Sequence, residues 1–367
     1  MARLRFEAVS HRYDDGPWVL RELDLDVADG EAHALLGPSG AGKSTLLNLL
    51  SGLRAPTAGR ILLDDADVTH QPPRQRNIAQ VFQFPVVYDG LTVRGNLEFP
   101  LRNQGMAGAP LRARVDAVAE LMELTDVLGA HAAELLAYDR QKAAMARALV
   151  RPDVAAVLLD EPLTAVEPAA KWRLRRALKT VQRELRLTMI YVTHDQLEAL
   201  SFADRVSVMA EGRILQSAPP AGLFEDPQHA FVGHFIGSPG MNLLPASISD
   251  GVARLNEGHG VTLGAGFSAG ACELGFRPED GIASNAGPTD RDGDPLRLPV
   301  KILEVRTLGV RAGRGWGLVQ AELAGTRIHL RQDTDGLAPG GGELLLPRQR
   351  LRVFREGWRL REAEAMA

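Results

Sequence analysis

Two segments near the start of the chain alternate hydrophobic and polar positions. Residues 4–8 (LRFEA) and 23–27 (LDLDV) both follow this pattern. Alternation of this kind is typical of strands with one face buried and the other in water. The pattern therefore predicts two strands and an antiparallel β portion at the beginning of the fold.

Three later segments are short and almost continuously apolar. They are residues 32–36, 154–159 and 189–192. Such runs are typical of strands buried on both faces of a parallel sheet. Between the last two runs, residues 169–185 repeat apolar side chains at helical spacing. Strand, helix and strand in this order predict a parallel α/β core.

The middle and the end of the chain show two further sequence patterns. Residues 111–128 and 141–150 are amphipathic at helical spacing, which predicts a helical subdomain at about 84–150. Beyond Pro239, turns rich in glycine and proline separate short apolar runs. This second pattern predicts a small all-β domain over residues 240–367.

A glycine-rich loop, GPSGAGKST, joins the apolar run at 32–36 to a helix-like segment. Glycines let backbone N–H groups close around phosphate oxygens, the lysine reaches the outer phosphates, and the serine is a magnesium ligand. Because strand, loop and helix occur in this order, we predict a nucleoside triphosphate site. Its predicted cofactor-binding residues are Gly37, Pro38, Ser39, Gly40, Ala41, Gly42, Lys43, Ser44 and Thr45.

Further candidate functional residues lie at the ends of the predicted strands. Asp160 is predicted to bind Mg²⁺ and Glu161 to polarise the attacking water. His194 is predicted to contact the γ-phosphate and help hold that water. Gln83 is predicted to bind Mg²⁺ through its amide oxygen, and the Tyr13 ring is predicted to stack on adenine. Taken singly, the histidine, glutamine and tyrosine would each also fit a structural role.

Composition narrows the classes of partner. The 42 Lys and Arg residues against 46 Asp and Glu give a net charge of −4, so the overall charge of the chain does not attract nucleic acid. The arginines at 348–361 alternate with apolar residues, which favours the solvated face of a strand. We expect no nucleic-acid partner. The single cysteine, Cys272, and a start without an apolar signal core indicate a cytosolic protein that reaches a membrane through a partner.

Together, the motifs resemble those of ABC-transporter ATPase subunits. In that family they are the aromatic loop (Tyr13), Walker A (residues 37–44), the Q-loop (Gln83), Walker B (VLLDEP, 157–162) and the switch histidine (His194). The resemblance runs from residue 3 to about residue 237. It implies an ATPase domain over residues 1–237 that hydrolyses ATP with Mg²⁺.

The end of the chain resembles one group within that family. FIGSPGMN at 235–242 and GFRPED at 275–280 are similar to the junction and accessory β-domain of sugar and polyol importers. In those proteins the extra domain is an OB-like regulatory module. The resemblance also implies two membrane-spanning permease subunits, an extracytoplasmic solute-binding protein, and a position at the cytoplasmic face of the bacterial inner membrane.

One family element is altered. In the family, two ATPase subunits sandwich ATP, and the serine and glycines of one LSGGQ signature contact the γ-phosphate held by the other subunit. Here the signature falls on LLAYD: Leu136 replaces the serine, and Ala137 and Tyr138 replace the glycines. Asp139 would bring negative charge towards an anion, so this half-site is expected to be a poor one.

The altered signature predicts a second ATPase of different sequence, whose intact signature completes the site on this chain. The loop at 165–167 also departs, with Ala-Val-Glu where the family usually has Ala-Leu-Asp. The pattern resembles the signature-poor ATPase subunit of bacterial glycerol and sn-glycerol-3-phosphate importers. That resemblance alone favours glycerol or glycerol-3-phosphate, or more broadly a small polyol or sugar, as the solute.

Two other functions remain open from the residues. A soluble ABC ATPase acting on DNA or ribosomes usually carries a long coiled-coil insertion or a second cassette, and this sequence has neither. A nucleotide-binding regulator without hydrolysis is suggested by the altered signature, whereas Glu161 and His194 favour hydrolysis. Replacement of Glu161 distinguishes these alternatives.

Overall fold

The computed structural model describes residues 2–164, 166–263, 266–285 and 295–361, without the side chain of Glu257. The chain divides into two compact units, residues 1–221 and 222–367. Among the described residues, no helix combines the length and the apolar character that crossing a bilayer requires.

The described residues of the first unit form ten strands and seven α-helices, besides two short 3₁₀ helices at Thr125–Val127 and Ala132–Glu134. The strands are β1 (Leu4–Arg12), β2 (Trp18–Val27), β3 (Ala32–Leu36), β4 (Ala58–Leu63), β5 (Ala66–Asp67), β6 (Ile78–Val81), β7 (Ala156–Asp160), β8 (Met189–Thr193), β9 (Arg205–Ala210) and β10 (Arg213–Ala218). The helices are α1 (Lys43–Ser51), α2 (Pro73–Arg76), α3 (Val93–Asn103), α4 (Gly108–Leu121), α5 (Ala137–Leu149), α6 (Pro168–Glu184) and α7 (Gln196–Phe202).

The strands of this unit form two sheets. The first, in the order β2-β1-β4-β5, is antiparallel and confirms the β portion predicted at the start of the chain. The second has the order β10-β9-β3-β8-β7-β6, parallel from β9 to β6, with β10 as an antiparallel edge. β3 and β8 are buried at every position. Burial on both faces explains why their sequences do not alternate.

The helical subdomain lies between β6 and β7 in the sequence. α4 covers the first part of the helix predicted at 111–128, beginning three residues earlier and ending seven residues earlier than expected. α5 corresponds to the helix predicted at 141–150 and begins four residues earlier. α3 was not predicted; it contains Gly95 and Pro100, two residue types that are unfavourable inside helices. Its start is fixed locally, since the Thr92 hydroxyl accepts a hydrogen bond from the Gly95 N–H at 3.0 Å.

The second unit is rich in strands. They are β11 (Asn242–Ser249), β12 (Val252–Leu255), β13 (Gly260–Thr262), β14 (Gly270–Phe276), β15 (Ile282–Ser284), β16 (Leu296–Arg311), β17 (Arg314–Leu323), β18 (Thr326–Asp333), β19 (Gly340–Leu346), β20 (Arg352–Arg355) and β21 (Trp358–Leu360). The antiparallel sheets run β13-β12-β11-β14-β20-β21 and β15-β19-β16-β17-β18. Both contribute to one apolar core, as the pattern beyond residue 239 predicts.

The boundary between the units lies earlier in the chain than the sequence suggested. We predicted it near residue 237, but residues 222–237 group with the second unit. Two short helices cover this stretch, α8 (Pro220–Glu225) and α9 (Ala230–Phe235). The physical reason is Arg277, whose guanidinium donates hydrogen bonds to the backbone carbonyls of Phe224 (2.8 Å), Gly233 (2.7 Å) and Ile236.

We expect Arg277 to be a main source of stability in the second unit. Burial lowers its pKa to about 10, so the guanidinium stays charged at neutral pH. Replacing Arg277 with Met leaves three carbonyls without their donor and should lower the free energy of unfolding by about 2–4 kcal/mol. Urea unfolding of the full chain measures this. The matched control is Arg297→Gln, an exposed ion pair with Glu343, and equal losses in the two variants would contradict the expectation.

Candidate functional site

The phosphate loop follows β3 and ends at α1. Gly40 and Gly42 have φ angles of 82° and 99°, in the left-handed region that favours glycine. A Cβ atom on Gly37 would lie 2.2 Å from the carbonyl oxygen of Met209. The backbone therefore requires glycine at these positions. The first N–H groups of α1 have no partner within the helix, and they favour an anion.

Lys43 is buried inside this loop. Its Nζ donates hydrogen bonds to the carbonyl oxygens of Gly37 (2.8 Å) and Pro38 (2.9 Å). Burial lowers the pKa of Lys43, and the negative charges of Glu161 and Asp160 partly offset this effect. Hydrogen bonds from an ammonium to phosphate are stronger than those to neutral carbonyls. The loop therefore holds a positive charge that a phosphate oxygen can attract.

The acidic residues meet the loop because of the strand order. β7 and β8 are parallel neighbours, and Asp160 pairs with Val192. The Ser44 hydroxyl donates to Asp160 Oδ1 at 3.4 Å, and His194 Nδ1 lies 3.1 Å from Glu161 Oε1. Burial, together with the adjacent Glu161, raises the pKa of Asp160. The structure thus assembles the lysine, serine, aspartate, glutamate and histidine that the motifs singled out.

Glu161 has an unusual backbone conformation. Its φ is 45°, in the left-handed region that few non-glycine residues adopt. The Glu161 N–H donates to the Val192 carbonyl at 2.9 Å, and the Thr164 hydroxyl donates to Glu161 Oε2 at 3.2 Å. His194 contacts the other carboxylate oxygen, so both oxygens of the Glu161 side chain have a hydrogen-bond partner. Strained backbone that is held in this way is frequent at functional sites.

Tyr13 follows β1 and faces the first turn of α1. Its hydroxyl lies 3.0 Å from Thr45 Oγ1, and the Arg54 guanidinium lies 4.7 Å from the centre of its ring. His11 packs edge-on against the same ring, with centroids 5.0 Å apart. Tyr13 is 37% exposed, so part of the ring remains open to a ligand. The tyrosine is therefore fixed to the helix that begins at the phosphate loop.

The remaining predicted residues differ in their surroundings. Pro38, Ser39 and Gly40 form the exposed rim of the loop, whereas Ala41 is buried beneath it. Gln83 is exposed after β6, and its side chain makes no hydrogen bond to any part of the chain that the structure describes. The structure therefore does not join Gln83 to Ser44 or Asp160.

The chain is similar to several bacterial proteins over most of its length. A relative from Salmonella paratyphi A is 42% identical over 322 residues, which cover 86% of this chain and 89% of the relative. One from Chromohalobacter salexigens is 39% identical over 306 residues, which cover 83% of this chain and 82% of that protein. Both are named sn-glycerol-3-phosphate import ATP-binding protein UgpC. A family model described as ABC transporter matches residues 20–164.

The chain belongs to the ABC transporter family. It is an ATP-binding subunit of that family, the class that hydrolyses ATP to drive transport. Two solved structures agree. One, cbiO1 of Clostridium perfringens, described as part of an ABC transporter complex, matches 61% of this chain at a TM-score of 0.56 and 28% identity, over 90% of its own length. The other is a dimeric ATP-binding cassette bound to ADP and Pi. It matches 59% of this chain and 98% of its own length, at a TM-score of 0.52 and 27% identity.

The altered signature of this ABC ATPase forms the start of α5. Leu136 precedes the helix, gives no side-chain cap, and is 78% exposed. Lys142 Nζ lies 4.8 Å and the Arg173 guanidinium 6.0 Å from the centre of the Tyr138 ring. Asp139 pairs with Lys142 at 2.9 Å. The negative charge that Asp139 brings to this segment is thus paired with a lysine of the same helix.

Sequence reasoning missed three residues around the site. Thr164 holds Glu161, Arg54 lies over Tyr13, and Lys142 pairs with Asp139. Thr164 and Lys142 stand three residues from their partners, a spacing that a turn or helix brings together. No sequence signal marks Arg54, since 41 residues separate it from Tyr13 and only the fold joins them. Ala165, in the altered loop at 165–167, lies outside the described residues.

We expect the Tyr13 ring, rather than its hydroxyl, to contribute to nucleotide affinity. Stacking a base on an aromatic ring is worth about 1–3 kcal/mol, so Tyr13→Ala should weaken ATP binding roughly 5- to 140-fold. Tyr13→Phe keeps the ring and should bind almost normally. Titration with a fluorescent ATP analogue measures both affinities. An equal loss in the two variants would instead assign the effect to the hydroxyl and Thr45.

Proposed function

We propose that this ABC ATPase powers the import of a small polyol or its phosphate ester, with glycerol or sn-glycerol-3-phosphate as the favoured solute. The support for the solute is the name of the relatives from Salmonella paratyphi A and Chromohalobacter salexigens. The support for hydrolysis is the geometry at Glu161. No residue of the nucleotide site is expected to touch the solute.

The observation that carries the proposal is the Glu161 carboxylate held between His194 and Thr164. A general base acts best when a second group orients it and when it stands within hydrogen-bond reach of the water. In our proposal Glu161 polarises the water that attacks the γ-phosphate, and His194 helps to hold that water. Lys43 binds the outer phosphate oxygens, and Tyr13 stacks on the base. The products are ADP and inorganic phosphate.

The residues present fit a magnesium ion. Ser44 and Asp160 bring a hydroxyl and a carboxylate oxygen together at the end of the loop. Mg²⁺ at triphosphate sites takes few protein oxygens and completes its shell with phosphate and water. Bound there, the ion would neutralise phosphate charge during transfer. Gln83 remains a proposed third ligand and γ-phosphate sensor, which requires it to move towards the loop.

The proposal includes the partners of an importer. Two membrane-spanning permease subunits would receive the motion of the ATPase through Gln83 and the segment 84–96, and an extracytoplasmic protein would deliver the solute. The ATPase itself would lie at the cytoplasmic face of the bacterial inner membrane. The exposed side chains of Phe82, Phe84 and Val86 support a protein contact at this segment.

We further propose that the second ATPase differs in sequence from this one. The support is the start of α5, where Leu136 and Tyr138 stand in place of a hydroxyl donor and a glycine. The names of the relatives lend no support to an unlike partner, so this part of the proposal rests on the signature alone. Two copies of this chain would form two composite sites, both without the serine.

Replacing Glu161 with Gln should lower ATP turnover of the assembled transporter by at least about a hundredfold while ATP still binds, because the amide cannot act as a base. Phosphate release measures turnover, and equilibrium dialysis measures binding. Glu184→Gln, at the exposed end of α6, is the matched control and should behave as wild type. Unchanged turnover in the Glu161 variant would mean that the site only binds nucleotide.

The signature can be restored in the isolated chain. The triple change Leu136→Ser, Ala137→Gly and Tyr138→Gly should raise ATP turnover of the chain alone at least about tenfold, because it returns donors to the γ-phosphate. Leu308→Ser, which replaces another exposed leucine, controls for solubility. If the wild-type chain alone already hydrolyses ATP as fast as the assembled transporter, the unlike partner is ruled out.

A further inference from the structure

The turn that contains His194 is held by side chains to which the nucleotide chemistry gives no role. His194 lies between β8 and α7, and its side chain is 56% exposed. Among the described residues, only Glu161 makes a hydrogen bond or an ion pair with this side chain. An exposed imidazole with a single partner depends on its own backbone for its position. The groups that fix this backbone therefore bear on the proposed contact with the attacking water.

A threonine hydroxyl connects the two sides of this turn. Thr193 is the last residue of β8 and is 2% exposed. Its Oγ1 accepts a hydrogen bond from the Asp195 N–H at 3.0 Å and donates one to Glu198 Oε2, also at 3.0 Å. The first bond spans His194 and closes the turn. The second bond ties the closed turn to a buried carboxylate.

That carboxylate belongs to Glu198 of α7 and accepts three side-chain hydrogen bonds. Besides Thr193, the Tyr191 hydroxyl donates to Oε2 at 3.0 Å, and Lys171 Nζ of α6 donates to Oε1 at 2.9 Å. The Glu198 side chain is 5% exposed. A buried carboxylate is costly unless it is paired with a cation and hydrogen-bonded, and both conditions are met here. Glu198 thus joins β8, α6 and α7.

The two hydroxyls reach one carboxylate oxygen because of strand spacing. Tyr191 and Thr193 lie two positions apart on β8, so their side chains are on the same face of the sheet. Burial raises the pKa of Tyr191 well above its usual value, and the negative charge of Glu198 adds to this effect. The tyrosine hydroxyl therefore keeps its proton and acts as a donor.

The other side of the turn is fixed by the start of α7. Asp195 Oδ1 accepts hydrogen bonds from the N–H groups of Leu197 (2.8 Å) and Glu198 (3.2 Å), which caps the helix. Asp195 therefore contacts α7 through its side chain and Thr193 through its N–H. Both neighbours of His194 in the sequence are bound to the same cluster of side chains.

We propose that Glu198, acting through the Thr193 hydroxyl, is a positioning residue for His194 in ATP hydrolysis. This inference rests on the proposed role of His194 at the γ-phosphate. The carboxylate holds the hydroxyl, the hydroxyl holds the Asp195 N–H, and the imidazole between them is kept within reach of Glu161. Neither Glu198 nor Thr193 touches the nucleotide, so both act on the hydrolytic step and leave ATP binding unchanged.

The first test is Thr193→Val, which keeps the shape of the side chain and removes the hydroxyl. We expect kcat of the assembled transporter to fall at least about tenfold, because small misplacements of a catalytic group are costly. The KM for ATP should stay within about twofold of the wild-type value, since binding is not affected. Thr193→Ser returns the hydroxyl and should recover most of the turnover. Phosphate release at varied ATP concentrations measures both constants.

Thr188→Val is the matched control. Thr188 is fully buried just before β8, and its Oγ1 likewise accepts from an N–H, that of Gly30 (2.9 Å), and donates to an oxygen, the Ala2 carbonyl (3.1 Å). This variant loses a similar hydroxyl away from His194 and should keep normal turnover. Equal losses of kcat in the two valine variants, or no recovery in Thr193→Ser, would overturn the proposal. If Thr193→Val does not fold, Thr193→Ala takes its place.

A His194→Ala background separates this inference from the proposed function. There, Thr193→Val should cause no further loss in single-turnover phosphate release, because the group that it positions is gone. A further loss as large as in the wild-type background would show a role independent of His194 and contradict the inference. Full turnover of His194→Ala alone would refute the proposed role of His194, and the inference with it. Low turnover of His194→Ala with normal turnover of Thr193→Val would refute the inference only.

Discussion

The pairing of β3, β8 and β7 in one parallel sheet is the constraint on which the nucleotide site depends. Parallel neighbours end at the same edge of a sheet, so the segments that follow them are brought together whatever their separation in sequence. Lys43 follows β3, Glu161 follows β7 and His194 follows β8. The buried Lys43 therefore interacts electrostatically with Asp160 and Glu161, because burial weakens the screening that water would provide.

The same edge explains the conformation of Glu161. Its N–H group continues the hydrogen bonding of the sheet to Val192, while its φ of 45° turns the chain away from the strand. A left-handed conformation at a glutamate costs free energy. The hydrogen bonds to His194 and Thr164 hold the side chain in the position that this turn creates. Local strain and a fixed carboxylate are thus two results of one turn.

α5 shows the opposite arrangement at its start. Leu136 at the N-cap of this helix makes no side-chain cap hydrogen bond and is 78% exposed, and Lys142 is engaged by Asp139. This ABC ATPase chain thus combines an intact phosphate-loop motif with an altered signature.

The sequence by itself determined the phosphate loop, the two buried strands that follow it and the acidic pair, because glycine requirements and continuous apolar runs are local properties. Together with the family resemblance, it also determined that the signature is altered, since that conclusion compares the residue types at 135–139 with the family motif. Tertiary structure decided which distant side chains meet: Arg54 lies over Tyr13, and His194 lies beside Glu161. It moved the boundary between the units to residue 221, because hydrogen bonds from Arg277 cross more than forty residues. Such contacts depend on strand order and helix placement, and neither is encoded in the spacing of residues along the chain.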